Sequence, residues 1–430
     1  MIRRFVCGAV LAATAASGWT AEIGHEVRGG VTYSDNVLRS QKGSEIDSGT
    51  VFVGLRVFNA RPEGRLRYDV SVDLGYYEYL EVDVDQNLQG RATLEGTYDI
   101  VPETFSWNAG VAYDQIRQDL LRPVAPDNVE GVTRFWTGPS VRAGLGSQTY
   151  AVLSGNFAYV DYADRDYDNE VVGGRFEILH QSSPRISVGP GISYDHQSYS
   201  SSAGSSDFDR QEAFLHADYR GERSKLQLQF GYAQFESGDT KDDGPMLRGS
   251  FSRQLSPSLE AFITASREYP LTGPGYGVSP YSAGGPYDNS TLTAAPHVSM
   301  NLDLGLRFDR ARTGGELVWA KRKEDAQLAG AGLRHYDEWR GRLTRRMTPR
   351  TNGALYAVWT DEEISGSAIS SADERLVGAD LNFAFGRALG VGLWLESRDR
   401  NHSGAYSEFS GGLFLTWGNR RGATSGTPNQ

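Results

Sequence analysis

Apolar and polar side chains alternate along most of the chain with a period of two residues. In Leu66 to Leu74, leucine, tyrosine and valine occupy one set of alternate positions, and arginine, aspartate and serine occupy the other. The same pattern recurs in 88–100, 105–113 and 377–385. Because successive side chains of a β-strand point to opposite faces, this periodicity predicts strands with one apolar and one polar face.

The segments and their connections together predict a barrel. Many segments are about ten residues or longer, the length at which a tilted strand crosses a bilayer, whereas the strands of a soluble sandwich are usually shorter. Nine short turns, such as 61–64, alternate with ten longer polar stretches, such as 236–243 and 269–291. We therefore expect an all-β fold: a closed antiparallel transmembrane β-barrel of about 20 strands (18–22), with periplasmic N- and C-termini. The strands predicted at 129–143 and 292–308 are the weakest, since each contains a proline.

Average composition alone resembles that of a soluble protein, with 39% hydrophobic and 23% charged residues and a mean hydropathy of −0.46. After the N-terminal leader there is no run of about 18 apolar residues, which excludes a multi-span helical membrane protein. The alternation explains the average: half of each strand faces lipid and half faces water.

The N-terminus is typical of a secretory leader. Arg3 and Arg4 precede the apolar run from Phe5 to Ala16, and small residues follow. We expect residues 1–21 to be a signal peptide cleaved between 18 and 21, 22–417 to be the outer-membrane β-barrel, and 418–430 to be a periplasmic tail. The single cysteine lies in the leader, so a mature chain has no disulfide and no thiol chemistry. The predicted location is the outer membrane of a Gram-negative bacterium.

Charge and motifs exclude several functions. Without the two leader arginines the chain has 41 basic and 54 acidic residues, a net charge of −13 that argues against nucleic acid as a partner. The seven histidines are dispersed without metal-ligand spacing, and no phosphate-binding loop is evident. We therefore expect no enzymatic activity, no cofactor and no metal site. The acidic stretch 161–170 is interpreted as a solvated loop that cations bridge to lipopolysaccharide.

One basic segment stands out in this acidic chain. Residues 307–350 contain twelve basic and six acidic residues. An arginine on the lipid face at mid-depth costs about 2–4 kcal/mol, so alternation turns these side chains toward the lumen. We predict four lumen or translocation contacts here: Arg322, Arg340, Arg342 and Arg346. The alternative is that they form cross-strand ion pairs with lumen acids such as Glu95 and Glu396, which only stiffen the wall.

The longest connection, 269–291, is rich in glycine, proline and tyrosine. Tyrosine rings stack on sugar rings and their hydroxyls hydrogen-bond to them. Tyr276, Tyr281 and Tyr287 are therefore candidate carbohydrate contacts of a loop that folds inward. The alternative is an ordinary external loop.

The last predicted strand, 410–417, ends on an aromatic residue after alternating apolar positions. It resembles the C-terminal signal by which outer-membrane barrels engage the barrel-assembly machinery. The residues that would carry this signal are Ser410, Gly412, Leu415 and Trp417. The alternative is an ordinary edge strand with glycines.

The segment Tyr33-Ser34-Asp35-Asn36-Val37 closes the first predicted strand. It resembles the opening of a porin-like family of outer-membrane barrels found in exopolysaccharide secretion operons and exosortase-associated clusters of Gram-negative bacteria. The resemblance implies a passive conduit for exopolysaccharide export that acts with a periplasmic export protein. The alternatives are a general diffusion porin or small-solute channel, and a structural or adhesive surface barrel. Expected partners are outer-membrane lipid, lipopolysaccharide, the barrel-assembly machinery and the exported polysaccharide.

Overall fold

The computed structural model describes most of the chain between residues 24 and 419. The described ranges are 24–83, 87–117, 125–163, 168–200, 207–238, 240–269, 297–326, 333–365, 370–386, 388–402 and 404–419. The predicted signal peptide lies outside these residues, as does the end of the predicted tail.

The described residues form twenty strands and one short 3-10 helix, Pro126–Asn128. The strands are β1 Gly24–Ser34, β2 Ser48–Arg61, β3 Leu66–Tyr79, β4 Leu88–Val101, β5 Phe105–Arg117, β6 Val129–Gly144, β7 Thr149–Tyr162, β8 Asn169–Ser183, β9 Ile186–Tyr199, β10 Phe208–Arg220, β11 Ser224–Ser237, β12 Thr240–Ser256, β13 Leu259–Glu268, β14 His297–Arg310, β15 Thr313–Ala326, β16 Leu333–Thr348, β17 Thr351–Ser365, β18 Ser370–Ala384, β19 Leu389–His402 and β20 Tyr406–Asn419. Within the described residues, no helix is long and apolar enough to cross a membrane.

Each strand pairs antiparallel with the next, and β1 pairs with β20, so the sheet closes into a barrel. The prediction of a closed antiparallel barrel is confirmed, with twenty strands in the described residues. At one rim the connections are only two to four residues long, and both Gly24 and Asn419 lie there. Short turns mark the periplasmic rim of outer-membrane barrels, so both ends of the barrel are periplasmic.

Two details differ from the predicted boundaries, and the strand predicted through Pro139 is present. The polar stretch 236–243, which we expected to be a long loop, is mostly strand: β11 and β12 are joined by 238–239 alone. Gly238 makes this tight connection with a φ of +56°, a left-handed conformation that glycine adopts without strain. β6 passes through Pro139 without ending. β20 continues to Asn419, two residues beyond the predicted end of the barrel.

The outer face is apolar. Val53, Leu355 and Leu415 each expose about 60% of their surface because they point away from the lumen. In register on three neighbouring strands lie three tryptophans, Trp319, Trp339 and Trp359. The next row of outward-facing side chains, one step closer to the long-loop rim, is charged: Lys321, Asp337, Asp361 and Asp373. Tryptophan followed by charge marks the upper boundary of the lipid-facing band.

Candidate functional site: the lumen wall

Register decides which side chains share the lumen. Arg56 on β2 pairs with Asp73 on β3, and Arg28 on β1 lies on the same inner face. Asp73 accepts hydrogen bonds from both guanidinium groups. A buried carboxylate is tolerated when paired charges and hydrogen bonds replace its water, and this arrangement recurs around the barrel.

The wall formed by β10, β12 and β13 is filled by paired charges. Glu212, only 4% exposed, accepts two hydrogen bonds from Arg248 at 2.9 and 2.6 Å. Arg248 also donates to Glu268 at 2.5 Å, and the neighbouring Arg210 donates to Asp195 at 2.7 Å. Two guanidinium groups and three carboxylates therefore form one continuous network, which the sequence analysis missed. Its only sequence signal is the polar face of 208–218.

Aromatic side chains cover this network on the long-loop side. The rings of Phe208 and Phe235 lie 4.9 Å apart, and Tyr269 stacks on Phe235 at 5.9 Å. The Tyr269 hydroxyl donates to Asp242 at 2.7 Å, and its carbonyl oxygen accepts a hydrogen bond from Arg210 at 2.9 Å. Burial and the hydrogen bond to Asp242 raise the pKa of Tyr269 above its ordinary value. The root of the 269–296 connection is therefore anchored over the lumen wall.

The predicted basic strip lies where alternation places it. Arg322, Arg340, Arg342 and Arg346 are on the inner face of β15 and β16, in register with other lumen residues. Arg342 donates to Asp380, two strands away, at 3.1 Å, and Arg340 donates to Glu338 at 3.5 Å.

The other two arginines of the strip differ in their surroundings. The guanidinium group of Arg322 lies 5.8 Å from the Tyr336 ring centroid. Arg346 is exposed, and its guanidinium group makes no ion pair with any residue that the structure describes. The predicted alternative of cross-strand ion pairs with lumen acids applies to Arg342, whereas Arg340 and Glu338 are on the same strand. Glu396, one of the acids named in that prediction, is bound by Arg398 at 2.8 Å.

A second paired network continues around β16–β19. Arg334, 5% exposed, donates to Glu362 at 2.8 Å. Arg400 lies 3.9 Å from the same carboxylate and 3.4 Å from Glu374, which also pairs with Arg398. This half of the lumen is thus lined by alternating cations and anions rather than by one uncompensated charge.

A different kind of wall occurs at β5–β7. Here the inner face has a cavity of about 320 Å³, lined by Asn108, Arg134, Trp136, Gly138 and Asn156 among others. Arg134 stacks over the Trp136 ring at 4.5 Å. The sequence analysis missed this cavity, although Pro139 within a strand pattern was a signal of it.

The Ser34–Val37 motif has a clear structural role at the seam between β1 and β20. Asn36, 1% exposed, donates to the carbonyl oxygens of Ser40 and Ser407 at 2.8 and 3.0 Å and accepts a hydrogen bond from the Ser40 amide. The Asp35 carboxylate accepts from the Phe409 amide at 2.7 Å, and the Ser34 hydroxyl donates to Glu408 at 2.8 Å. The motif therefore fastens the first strand to the last.

The remaining predicted positions separate into two groups. Tyr276, Tyr281 and Tyr287 lie outside the described residues. On β20, Leu415 and Trp417 face lipid with 59% and 57% exposure, while Ser410 and Gly412 face the lumen beside β1. The assembly signal itself stays a prediction.

No cluster of three or more histidine, cysteine or carboxylate side chains among the described residues could hold a metal ion.

No family model matches the chain, and no curated protein sequence matches it. Among solved structures the barrel is similar to the FrpB iron transporter from Neisseria meningitidis, with 9% identity over 95% of this chain and 83% of that chain, at a TM-score of 0.47. It is also similar to the siderophore receptor PirA from Acinetobacter baumannii (10%, 93% and 81%, TM-score 0.48) and to the copper transporter OprC (9%, 92% and 80%, TM-score 0.39). At such identities the similarity shows the fold alone.

The prediction of an exopolysaccharide export conduit with a periplasmic export partner is wrong. The proteins with this barrel named above are described as iron and copper transporters and a siderophore receptor, and membership of the exopolysaccharide family is not confirmed. The motif that suggested export belongs to the barrel seam, where its hydrogen bonds join β1 and the segment after it to β20. In its described residues the chain is a closed antiparallel barrel of twenty strands with an apolar outer face, which is the architecture of outer-membrane barrels.

Proposed function

We propose that the barrel is a channel through which small hydrophilic solutes enter the periplasm. The observation that carries this proposal is the inner face, where alternation places charged and amide side chains on strands all round the barrel. Such a face needs water or paired charges beside it, and an inner face of this kind lines the aqueous pores of outer-membrane barrels. In this proposal the chain has no catalytic role and needs no cofactor.

The exposed lumen residues near the periplasmic rim support an aqueous path. Asp69 on β3 lies directly opposite Glu95 on β4 in the sheet register, and both side chains are exposed although they point inward. Ser71 beside them is exposed as well. A closed, dry interior would bury these groups, and unpaired buried carboxylates are costly.

The basic strip is the proposed element of ion preference. Arg322, Arg340, Arg342 and Arg346 would contact anionic solutes, since charged rings and strips tune selectivity in pores. Because Arg342 and Arg340 already have acidic neighbours, Arg346 is the member with the most charge available to a solute.

The proposal is tested with the purified full chain in planar bilayers and in sugar-loaded liposomes. We expect stepwise ionic conductance and liposome swelling with monosaccharides, at rates that fall as the solute becomes larger. Protein-free bilayers and liposomes are the control. Folded barrel that inserts but neither conducts ions nor admits monosaccharides would overturn the channel.

A further inference from the structure

The two ends of the lipid-facing band carry opposite charges on strands β14 to β17. Toward the long-loop rim the outward row beyond the tryptophans is mainly acidic, and it includes Asp337 and Asp361. Toward the periplasmic rim the outward charged residues are Arg310 on β14 and Arg345 on β16, and both are exposed. On this side of the tryptophans, no outward position that the structure describes in these strands is acidic. The periplasmic end of this sector is therefore basic in a chain whose net charge is acidic.

The sheet register brings these two arginines close together on the outer face. Arg310 lies opposite Thr313 on β15, and Thr313 lies opposite Arg345 on β16. Neighbouring strands are about 4.8 Å apart, so the backbones of the two arginines are about 10 Å apart, with the small threonine between them. Two arginine side chains at this spacing are long enough to meet at one group bound over Thr313.

Small residues keep the space between the arginines open. Gly315 is the next outward residue of β15, and the Phe308 ring lies over it, since a Cβ at this glycine would collide with the ring. On the other side, Arg345 lies opposite Gly353. The side chains of Thr313 and of the two arginines make no hydrogen bond or ion pair with any residue that the structure describes. Two guanidinium groups and one hydroxyl are therefore available at this place on the outer face.

Apolar side chains border the arginine pair along the same outer face. Leu343 and Leu306, which lie toward the middle of the lipid-facing band, are 44% and 46% exposed. Met347, one outward step beyond Arg345 toward the turn, is exposed as well. A ligand at this position therefore meets cationic groups and hydrocarbon contacts together. An anionic lipid has both of the matching parts, whereas a soluble anion or an acidic protein surface has only one.

We propose that Arg310, Thr313 and Arg345 bind the phosphate of an anionic phospholipid, of the phosphatidylglycerol type, in the periplasmic leaflet. The guanidinium groups donate charge-assisted hydrogen bonds to the phosphate oxygens, and the Thr313 hydroxyl donates another. The acyl chains lie against Leu343 and Leu306. A choline headgroup binds less well, because its ammonium group is repelled by the two arginines. The site is outside the lumen, so it does not depend on the proposed channel function.

The test is native mass spectrometry of the full chain in detergent with added dioleoylphosphatidylglycerol, and with dioleoylphosphatidylcholine as the comparison lipid. We expect one phosphatidylglycerol to be retained, with a dissociation constant about fivefold lower than that of phosphatidylcholine. Arg310→Gln and Arg345→Gln should each raise the phosphatidylglycerol dissociation constant about tenfold, because each removes a hydrogen bond between charged groups. Both positions are exposed, and heat-modifiable migration on gels verifies that each variant is folded.

The matched control is Arg253→Gln. Arg253 is an exposed, outward arginine three residues before the end of β12, as Arg345 is on β16. Its neighbours in register are Ser224 and Ala261, neither of which is basic, so the phosphatidylglycerol dissociation constant should be unchanged.

Three results would overturn the proposal: unchanged binding in Arg310→Gln and Arg345→Gln, an equal loss in Arg253→Gln, or equal retention of the two lipids. A fourth arm adds inorganic phosphate at millimolar concentration. Phosphatidylglycerol should stay bound, because its acyl chains contribute contacts that phosphate lacks. Displacement by phosphate would assign the arginines to a free anion and overturn the lipid.

Discussion

Two walls of the lumen share the same strand alternation but carry very different side chains on their inner faces. On β10–β13 the inner positions hold large charged and aromatic side chains, and Glu212 is nearly fully buried among them. On β5–β7 several inner positions are glycine, and Pro139 interrupts the ladder. The first wall is filled by its own side chains, whereas the second leaves a depression of about 320 Å³ on the inner face.

This difference indicates which wall of the lumen can bind one solute in preference to another. Backbone pairing supplies most of the framework on both walls, so the inner side chains need not stabilise every strand. A wall of paired charges uses its carboxylates and guanidinium groups mainly for one another and therefore offers a solute little. The open wall has donors, at Asn108 and Trp136, that make no hydrogen bond to any residue the structure describes.

The largest effect is expected from breaking the filled wall. Glu212→Gln leaves Arg248 and Arg210 buried with one carboxylate fewer, and removing one partner of a buried pair costs about 3–5 kcal/mol. The measurement is the urea midpoint of unfolding in lipid vesicles. Glu222→Gln is the matched control, since its pair with Arg185 is exposed and such pairs contribute about 0–1 kcal/mol. Equal midpoints for the two variants would show that the filled wall is not a stability element.

A substitution outside both walls should lower the free energy of unfolding and leave the lumen unchanged. Asn36→Ala removes three part-buried hydrogen bonds, one across the seam to Ser407 and two with Ser40, and should lower the free energy of unfolding by about 2–4 kcal/mol. Heat-modifiability on gels reports the loss, and single-channel conductance should stay at the wild-type value. The exposed Asn401→Ala is the control. Altered conductance with unchanged stability would contradict the assignment of Asn36 to the seam.

A smaller effect is expected from filling the open wall. Gly138→Ala adds a Cβ that meets the Gly155 carbonyl, so the strands must shift, at a cost of about 1–3 kcal/mol in unfolding free energy. Gly144→Ala on the same strand is the control, because a Cβ there meets nothing within 4 Å. If both glycines tolerate alanine equally, the tight approach of β6 and β7 does not shape the cavity.

The smallest effect concerns the basic strip. Arg346→Gln removes a guanidinium group that has no ion pair with a described residue, and it should lower the anion-to-cation permeability ratio by up to about twofold. Arg342→Gln should change it less, because the charge of Arg342 is offset by Asp380. Reversal potentials in a salt gradient measure both ratios. The reverse order of effects would place the solute path next to Arg342 instead.

Much of the fold was predictable because it depends on local pattern. Period-two alternation and the short turns identify strands such as 66–79 and 377–384 without any knowledge of their neighbours. The error at 236–243 has the same origin, because Asp242 and Asp243 resemble loop residues. Asp242 nevertheless faces the lumen and lies opposite Phe235 of β11 in the sheet register. Polarity in a wide barrel does not mark a loop.

The site was much less predictable because it depends on register. Alternation correctly turns Arg342 inward, but its partner Asp380 is two strands away and was not one of the acids that the prediction named. Glu212 and Arg248 are 36 residues apart in the chain, and no local pattern pairs them. The Gly138-Pro139 pair was visible, and was interpreted only as a weak strand.

The seam also has a consequence for the order of events in assembly. Ser34 and its partner Glu408 are separated by 374 residues, so their bond forms only when nearly the whole chain has been synthesised and positioned. Contacts of such long range form late, because the loop-closure entropy must be overcome first. The hydrogen bonds of Asn36 and Asp35 across the seam would then act as a completion check. A chain that stops before β20 lacks the Ser407 carbonyl that accepts from Asn36 and the Phe409 amide that donates to Asp35, and it keeps an open edge.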